Sequence, residues 1–399
     1  MTRKILISGA GIAGPALAYW LQKAGFVPTI IERAPTLRTG GFVIDFWGLG
    51  YDLAERMGLA DDIGRQSYRI RELRIVNDRG KRVAGFGIGV LNELTGGRFA
   101  TLRRSDLSRL LYGKIAATTE TIFGDEIVDL EQQIDRVDVH FKHAAARSFD
   151  LVIGADGLHS GVRKIAFGPQ ARFEKQLGYG IGAFEVAGYR PRDENVYVIH
   201  SQPRRMLGRI ALRDDRTLFL FVFAADVKSV SVTSDLQAQK AKLREMFGGQ
   251  HWECAKILDA LDGAHELYFD RVSQIKMPSW STGRVALIGD AAFCVSLLAG
   301  QGSALAMTAA YVLAGELAKA EGRHHEAFAN YEALLRNYIV AKQRGAERFS
   351  TAFAPKTRWG LLLRNAIINV CAIPGLARYA FGRDIIDTLQ LPSYERTGI

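Results

Sequence analysis

The sequence predicts an α/β protein in which a parallel sheet with crossing helices is interrupted by an antiparallel sheet and followed by a C-terminal helix. Three observations carry this prediction. An apolar strand meets a glycine turn and a helix near the N-terminus, a similar strand and turn recur about 250 residues later, and strand patterns fill residues 178–227. At 399 residues the chain can hold two or three domains with a large buried core.

The N-terminal segment KILISGAGIAGPALAYWLQKAGFVPTIIER, residues 4–33, has the strand, glycine turn, helix and second strand of a Rossmann-like dinucleotide-binding unit. Gly9 permits a tight turn, Gly11 lets the backbone approach a pyrophosphate, and Gly14 lets the helix pack closely on the strand. Glu32 ends the second strand, where a carboxylate can accept hydrogen bonds from ribose hydroxyls. This pattern fits FAD and NAD equally well.

The middle of the chain is rich in strand signals. Residues 178–227 contain four runs of strand-forming residues separated by turns, which predicts an antiparallel sheet. Phe219, Phe221 and Phe223 alternate on one face of a strand there. They are candidates for substrate contact, although alternating aromatic residues also form plain sheet core.

Three helices are predicted from apolar spacing and capping residues. Leucines recur at helical spacing over Thr101–Tyr112, where Ser105 and Asp106 can cap the N-terminus. A long helix is predicted over Ser303–Ala320, and a C-terminal one from about Thr357.

The apolar stretch Trp359–Leu376 within the C-terminal helix has nearly the length of a membrane span. Arg364, two asparagines and a proline interrupt it, so we predict a packed peripheral helix and no integral membrane association.

A second small-residue turn follows the buried strand of DLVIGADGLHSGVR, residues 150–163. The strand delivers Asp156 to a turn whose small neighbours leave room for a ligand or a second backbone. Taken alone, an Asp-Gly turn that closes a strand is also a common structural feature.

A third turn follows the strand of RVALIGDAAF, residues 284–293. Gly289 and Asp290 form a turn whose carboxylate can accept a hydrogen bond from a ribityl hydroxyl. The tripeptide Gly300-Gln301-Gly302 then opens the long helix, and its N-terminal dipole favours negative charge nearby. A strand-to-helix connection packed with small residues is the structural alternative.

Composition argues against several other classes of protein. The formal charge of +10, from 52 basic and 42 acidic residues, is spread thinly, which favours anionic small molecules over nucleic acid as partners. Three distant cysteines have no metal-ligand spacing, so we predict no metal and a reducing compartment, the cytoplasm. A strand begins within four residues of Met1, which leaves no room for a signal peptide.

The three turns together resemble a known family. GAGIAG with Glu32-Arg33, DLVIGADGLHSGVR, and GRVALIGDAA followed by GQG resemble the three fingerprints of the single-component FAD-dependent aromatic hydroxylases, also called class A flavoprotein monooxygenases. The segments GPALAYWL, RTGGFVID and SQIKMPSWSTGRVALIGDAAFC look like those of the tetracycline destructase subgroup.

The resemblance implies a domain arrangement. A Rossmann-like FAD-binding domain of the GR2 type would comprise residues 1–175 and 272–345, with sheet insertions around residues 70–100. An inserted antiparallel β-sheet substrate domain would comprise residues 176–271, and a C-terminal helical segment residues 346–399.

The resemblance also implies which residues contact FAD. They are Gly9, Gly11, Ile12, Ala13, Gly14, Glu32, Arg33, Gly41, Asp45, Arg104, Asp156, Gly289, Asp290, Gly300, Gln301 and Gly302. Arg104, rather than Arg103, matches the arginine near the FAD phosphate and ribityl chain. Asp156 matches the aspartate that serves both FAD and transient NADPH binding, and Gly41 and Asp45 match the loop near the isoalloxazine.

Three positions depart from the family pattern. Where the family has histidine, proline and asparagine, this chain has Phe293, Leu297 and Ala304. The family's proline carbonyl lies close to the reacting edge of the flavin. Leu297 still offers a backbone carbonyl there and is a candidate for substrate contact.

The implied activity is hydroxylation of an aromatic or polycyclic small molecule, such as a tetracycline or a phenol, through a flavin C4a-hydroperoxide. O2 and NADPH or NADH are the implied co-substrates, and the nicotinamide would share the flavin cleft because the chain has no second glycine fingerprint. A reductase or dehydrogenase of the same superfamily and a flavin- or ligand-binding protein without turnover are the alternatives. We expect a monomer or a weak dimer.

Overall fold

Strands and helices alternate along most of the chain, as the sequence predicts for an α/β protein. The computed structural model describes residues 3–38, 42–224, 235–373 and 387–399. The strands in that part of the chain are β1 Lys4–Ser8, β2 Val27–Glu32, β3 Val43–Trp47, β4 Glu72–Val76, β5 Arg82–Gly87, β6 Phe99–Arg103, β7 Glu120–Phe123, β8 Ile127–Gln132, β9 Val137–Phe141, β10 Arg147–Phe149, β11 Leu151–Gly154, β12 Glu174–Ala187, β13 Val196–Gln202, β14 Arg205–Ala211, β15 Arg216–Ala224, β16 Tyr268–Ile275, β17 Ser281–Thr282 and β18 Val285–Leu287.

The helices in the same residues are α1 Ala13–Lys23, α2 Leu49–Arg56, α3 Ala60–Gln66, α4 Gly89–Thr95, α5 Arg104–Gly113, α6 Gly161–Ala166, α7 Leu236–Phe247, α8 Cys254–Asp262, α9 Asp290–Phe293, α10 Gly302–Lys319, α11 His324–Phe353 and α12 Arg358–Cys371. Single 3-10 turns lie at Gln170–Arg172, Leu297–Ala299 and Glu395–Thr397. The predicted fold class, α/β with an antiparallel sheet and a C-terminal helix, is confirmed.

A six-stranded sheet in the order β17-β18-β11-β1-β2-β7 holds all three small-residue turns. β1 runs parallel to β2 and β11, and β11 runs parallel to β18. The carboxyl ends of parallel strands meet at one edge of a sheet, which is where open α/β sheets bind their ligands. The turns after β1, β11 and β18 therefore lie side by side.

Helices α1 and α10 pack on each other beside this sheet, and α11 packs on α10. α10 is buried on nearly every side from Leu305 to Leu317, which matches its uniformly apolar sequence. It confirms the long helix predicted at Ser303–Ala320. Its buried position fixes the N-terminus of α10, at Gly302, at the same edge of the sheet.

A second sheet has seven strands in the order β16-β12-β15-β14-β13-β4-β5. Strands β12 to β15 pair antiparallel, which confirms the antiparallel sheet predicted for residues 178–227. β4 runs parallel to β13 and brings β5 with it, so residues 72–87 extend the same sheet. Helices α7 and α8 cover one face of this sheet.

The helix predicted at Thr101–Tyr112 is wrong at its beginning. Thr101 belongs to β6, which pairs antiparallel with β3, and α5 begins only at Arg104. Neither Ser105 nor Asp106 caps this helix, because Arg103 is the N-cap residue and no side chain bonds there. Pairing with a distant strand outweighs local helical spacing over these residues.

The C-terminal helix α12 begins where the sequence predicts, because Thr357 caps it by accepting the backbone N–H of Gly360 at 3.0 Å. It packs on β5. The predicted stretch continues to Leu376, but residues 374–376 lie outside the described part of the chain. Among the helices of the described residues, none has the length and apolar character needed to cross a bilayer.

Candidate cofactor site and substrate cleft

The turns after β1 and β11 lie in backbone contact. Gly9 adopts φ +109°, and a Cβ added there would lie 2.6 Å from the carbonyl oxygen of Ala155. A Cβ added to Gly14 would lie 1.9 Å from the carbonyl oxygen of Gly9. Only glycine fits either position, as the close strand-to-helix packing of a dinucleotide-binding turn requires.

The turn after β18 joins the same contact. A Cβ added to Gly289 would lie 3.5 Å from the Cβ of Ala13 and 3.4 Å from that of Ala306. A Cβ added to Gly302 would lie 3.7 Å from Oδ1 of Asp290. The structure therefore brings the predicted residues of the first and third turns together with the N-termini of α1 and α10.

Glu32 links the glycine turn to the end of β2. Its carboxylate accepts the backbone N–H of Ala10 at 2.8 Å and that of Ala34 at 2.9 Å. Its neighbour Arg33 is exposed. Glu32 thus holds the shape of the turn, a role that the sequence did not predict for it.

Arg104 places a positive charge at the N-terminus of α1. Its Nη2 lies 3.4 Å from the position that a Cβ of Gly11 would take. Burial lowers the pKa of this guanidinium, while the carboxylate of Asp290 opposes the shift. Burial likewise raises the pKa of Asp290, and Arg104 opposes that shift.

This arrangement fits an anionic cofactor. The positive end of the α1 dipole and the Arg104 guanidinium lie side by side, which is unfavourable unless an anion lies between them. The first N–H groups of α1 have no partner within the helix, and no side chain caps them. A pyrophosphate would satisfy both the helix N-terminus and the arginine.

Asp156 lies in the second turn and hydrogen-bonds to the start of a helix whose N-cap residue is Ser160. It accepts the hydroxyl of Ser160 at 2.5 Å and the backbone N–H of Val162 at 3.1 Å, at the start of α6. Burial raises its pKa, and these hydrogen bonds oppose the shift. The structural role weighed for this Asp-Gly turn is therefore present, and the predicted contact with FAD and NADPH stays a prediction.

Arg163 joins the second and third turns, and sequence reasoning missed this role. It is fully buried, and Nη1 donates to the carbonyl oxygen of Ala291 at 2.8 Å. Nη2 donates to the carbonyl oxygen of Leu158 at 2.6 Å and to Gln170 at 3.0 Å. Burial lowers its pKa. The sequence shows that Arg163 lies in the second motif, but it does not show which residue, 128 positions away, is its partner.

Asp45 lies in β3 between two hydroxyl groups. It accepts Thr101 Oγ1 at 2.6 Å and Tyr197 Oη at 3.0 Å, and burial raises its pKa. Two residues on, the Trp47 ring lies 3.4 Å from the position that a Cβ of Gly300 would take. β3 therefore connects the N-terminus of α10 to the seven-stranded sheet. Gly41 lies outside the described residues.

The aromatic substrate candidates lie in the core of the second sheet. Phe219, Phe221 and Phe223 are fully buried against α7 and α8, with the rings of Phe221 and Phe247 4.8 Å apart. Leu297 lies on the opposite face of the sheet, in a cluster with Met206, Val222 and Leu298. Contact of these residues with a substrate stays a prediction.

Two of the three departures from the family pattern have packing explanations. The Phe293 ring lies 4.6 Å from that of Trp280 in the main core, where a histidine would bury a polar ring. Ala304 lies against Gly50, and a Cβ added to that glycine would lie 2.4 Å from the Cα of Ala304. Helices α2 and α10 therefore approach too closely for a larger pair.

His159 forms a second contact that sequence reasoning missed. Its Nε2 lies 2.8 Å from Oδ2 of Asp270, a buried residue of β16. This hydrogen bond raises the pKa of His159. The pair joins the loop of the second turn to the seven-stranded sheet.

A cleft of about 1250 Å³ opens between the loop after β2 and the seven-stranded sheet. Phe42 and Tyr268 line it with their rings 5.4 Å apart, and Arg38, which lines it too, lies near enough to lower the pKa of Arg104. Arg103, the residue before Arg104, lines the cleft as well. Within the described residues, no three His, Cys, Asp or Glu side chains lie together as metal ligands.

The chain belongs to the FAD binding domain family, which it matches over residues 2–337, and its resemblance to the flavoprotein monooxygenases is confirmed. A flavin-dependent monooxygenase of Legionella longbeachae is 35% identical over 363 residues, which cover 88% of this chain and 90% of that protein. The crystal structure of tetracycline destructase Tet(51) matches with a TM-score of 0.85 and 31% identity, covering 99% of this chain and all of that one.

A further solved structure shows the same fold with ligands bound. Klebsiella pneumoniae HpxO, complexed with FAD and uric acid, matches with a TM-score of 0.78 at 22% identity and covers 96% of each chain. At this identity the likeness concerns the fold alone.

Proposed function

We propose that this protein is an FAD-dependent, NAD(P)H-using monooxygenase that hydroxylates an aromatic or polycyclic small molecule, of tetracycline-like or phenolic type. The observation that carries the proposal is the contact of three small-residue turns around Arg104 and Asp290, beside a cleft that reaches the antiparallel sheet. Family membership and the similarity to tetracycline destructases support it.

Different residues of the cofactor site would bind different parts of FAD. The N-terminus of α1 and Arg104 would bind the pyrophosphate, and Asp290 would accept hydroxyls of the ribityl chain. The turn at Gly300 and the dipole of α10 would lie beside the flavin ring. When bound, FAD supplies the hydride and oxygen chemistry that amino-acid side chains lack.

The substrate would approach the sheet from the side of the 3-10 turn Leu297–Ala299. The face of the sheet turned to it is apolar and includes Met206, Val222 and Tyr179. Tyr197 and Asp45 add a half-buried hydrogen-bonded pair on β13 and β3. Apolar walls with a few fixed polar groups are what an aromatic ligand site needs, and they keep water from the reaction.

The nicotinamide cofactor would dock in the cleft beside the loop after β2. Arg38, Arg190 and Lys256 line this cleft and would attract its phosphates. Arg103, the residue before Arg104, lines the cleft, so we expect a nicotinamide that enters it to approach the flavin. This supports the predicted shared cleft without a second glycine fingerprint.

The same proposal includes the domain bounds, the cellular compartment and the oligomeric state. The FAD-binding domain would comprise residues 1–175 and 272–345, the substrate domain residues 176–271, and the C-terminal segment residues 346–399. The three cysteines are buried without disulfides, which supports a cytoplasmic enzyme. It would act as a monomer or weak dimer.

Oxygen incorporation tests the proposal. Purified protein containing FAD would be mixed with NADPH or NADH and a tetracycline or phenolic compound under 18O2, and the products analysed by mass spectrometry. We expect oxidation of the nicotinamide that is stimulated by the compound, and one labelled oxygen atom in the product.

The same experiment separates the alternatives. Oxidation of the nicotinamide that yields only hydrogen peroxide would favour a reductase or dehydrogenase, an outcome for which Leu297 in place of proline gives a specific reason. Bound FAD without any oxidation would indicate a binding protein. Leu297→Pro is the matched variant, because the first position of a helix tolerates proline. It tests whether a proline at this position couples oxidation of the nicotinamide to hydroxylation of the compound.

A further inference from the structure

Helix α12 departs from the usual amphipathic pattern, because most of its apolar side chains are exposed while Arg364 and Asn365 are half-buried. On an ordinary surface helix the apolar stripe packs on the core. Here an exposed apolar stripe recurs at helical spacing and ends just past the helix, and its members are Trp359, Leu362, Leu363, Ala366, Ile367, Val370 and Ile373.

The polar residues of α12 fix its orientation. Arg364 donates to Ser201 Oγ at 3.1 Å and to Asn365 Oδ1, and burial lowers its pKa to about 10. Asn369 donates to the carbonyl oxygen of Val83 and accepts the N–H of Gly85. Rotating the helix to bury its stripe would break the bonds to Ser201, Val83 and Gly85, so the outward position of the stripe is built into the fold.

The stripe is unusually exposed for its composition. Trp359 is 82% exposed and Leu363 64% exposed. Contiguous apolar surface of this kind marks a binding surface on a folded protein, whereas single exposed apolar residues do not.

The charge of residues 348–373 indicates which kind of partner the stripe binds. From Arg348 to Ile373 the sequence has no Asp or Glu and four Lys or Arg residues, of which Lys356 and Arg358 are exposed beside Trp359. An apolar face with an aromatic residue at its end and basic residues at its flank is the pattern of helices that lie in the surface of an anionic bilayer.

The charge of the segment argues against a second copy of the chain, because the same segment of another copy has no Asp or Glu to pair with Lys356 and Arg358. The 14 residues of α12 give a length of about 21 Å. The helix is therefore too short to cross the roughly 30 Å hydrocarbon layer, and it would lie in the membrane plane.

We propose that α12 docks this protein on an anionic lipid bilayer, with the stripe inserted at the boundary of headgroups and acyl chains. Because α12 packs on β5 of the seven-stranded sheet, docking brings the proposed substrate sheet to the membrane surface. Apolar compounds concentrated in the bilayer would then be close to the site.

Vesicle sedimentation with the full-length, FAD-loaded protein tests this docking. Vesicles of phosphatidylcholine with about equal phosphatidylglycerol should bind the protein, and vesicles of phosphatidylcholine alone should bind it weakly. Leu363→Glu and Val370→Glu should each weaken binding by about ten-fold or more, because a charge enters the apolar face. Lys356→Glu with Arg358→Glu should weaken it by about five-fold for each charge.

Matched controls separate docking from folding. Ile134→Glu changes an apolar side chain that is 97% exposed on a turn far along the chain, and Lys164→Glu reverses an exposed charge on α6. Both should bind vesicles like the unchanged protein. The melting temperature and FAD content should be equal in all variants, because the stripe side chains make little contact with the core.

Tryptophan fluorescence of the unsubstituted chain gives an independent measurement. Brominated lipid should quench this fluorescence, and Trp359→Phe, a conservative change at a side chain that is 82% exposed, should remove that quenching. The docking proposal is overturned if anionic vesicles do not bind the protein, if lipid charge makes no difference, or if Leu363→Glu binds as well as the unchanged chain. It is also overturned if sedimentation shows a dimer that Leu363→Glu dissociates.

Discussion

The cofactor corner, where the turns after β1, β11 and β18 meet, and the charged side chains on the seven-stranded sheet join distant segments of the chain in different ways. In the corner, Gly9 lies against Ala155 and Gly14 against Gly9, so backbone meets backbone. On the sheet, whose strands pair through their backbones, ion pairs add links between side chains, as where Glu185 accepts Arg103 at 3.0 Å and Arg216 at 2.9 Å.

The difference teaches how much each region tolerates. A backbone contact has no spare volume, so one added carbon must displace a strand or a helix. A partly exposed ion pair contributes little, and its loss leaves side chains that can turn to water. The corner should therefore respond to the addition of a single carbon atom, whereas removal of an ion pair from the sheet should change little.

The largest effect is expected from Gly14→Ala. The new Cβ would lie 1.9 Å from the Gly9 carbonyl oxygen, so α1 must move off β1 and the pyrophosphate site is lost. We expect protein without FAD and with a lower melting temperature, measured by flavin absorbance and thermal unfolding. Gly64→Ala is the control, because an added Cβ there meets nothing within 4 Å, and its stability should change by less than about 1 kcal/mol.

Arg163→Leu tests whether a side chain in the corner matters as much as the backbone contacts. It leaves the carbonyl oxygens of Ala291 and Leu158 buried without their donor, so the free energy of unfolding should fall by about 3 kcal/mol. Denaturant unfolding measures the change. Lys164→Met, on the exposed side of the same helix, should have almost no effect, and equal losses from both substitutions would contradict the assigned role.

Substitutions of two adjacent arginines allow a direct comparison of the two regions. Arg104→Met should weaken FAD binding about ten-fold to a hundred-fold, because a charged hydrogen-bond donor is lost. Arg103→Met removes only the ion pair with Glu185 and should leave FAD affinity nearly unchanged. Equilibrium titration of the FAD-free protein gives both constants, and a reversed order would mean that Arg103 holds the cofactor.

The smallest effect concerns His159, whose contact with Asp270 joins the two regions. Its pKa is raised above the ordinary 6.5, so protonated His159 stabilises the fold fully below that pH. The contribution is lost as the pH rises through the folded-state pKa. The difference in unfolding free energy between the unchanged protein and His159→Gln should therefore shrink as the pH rises from 6.5 through the folded-state pKa of His159, which denaturant unfolding at several pH values measures.

The sequence by itself determined the strand, turn and helix at residues 4–33, the three-turn pattern and the presence of α10. These features rest on local backbone geometry, where glycine spacing and apolar periodicity act within a few residues. The predicted family followed from the same short-range patterns.

Only the tertiary structure decided the features that depend on a partner far along the chain. Thr101 is in a strand because β3 pairs with it, and Arg163 reaches a carbonyl 128 residues away. Arg364 and Asn369 turn the apolar side of α12 outward by bonding to distant strands. No local sequence pattern identifies these partners, because each interaction forms only when folding has brought the two segments together.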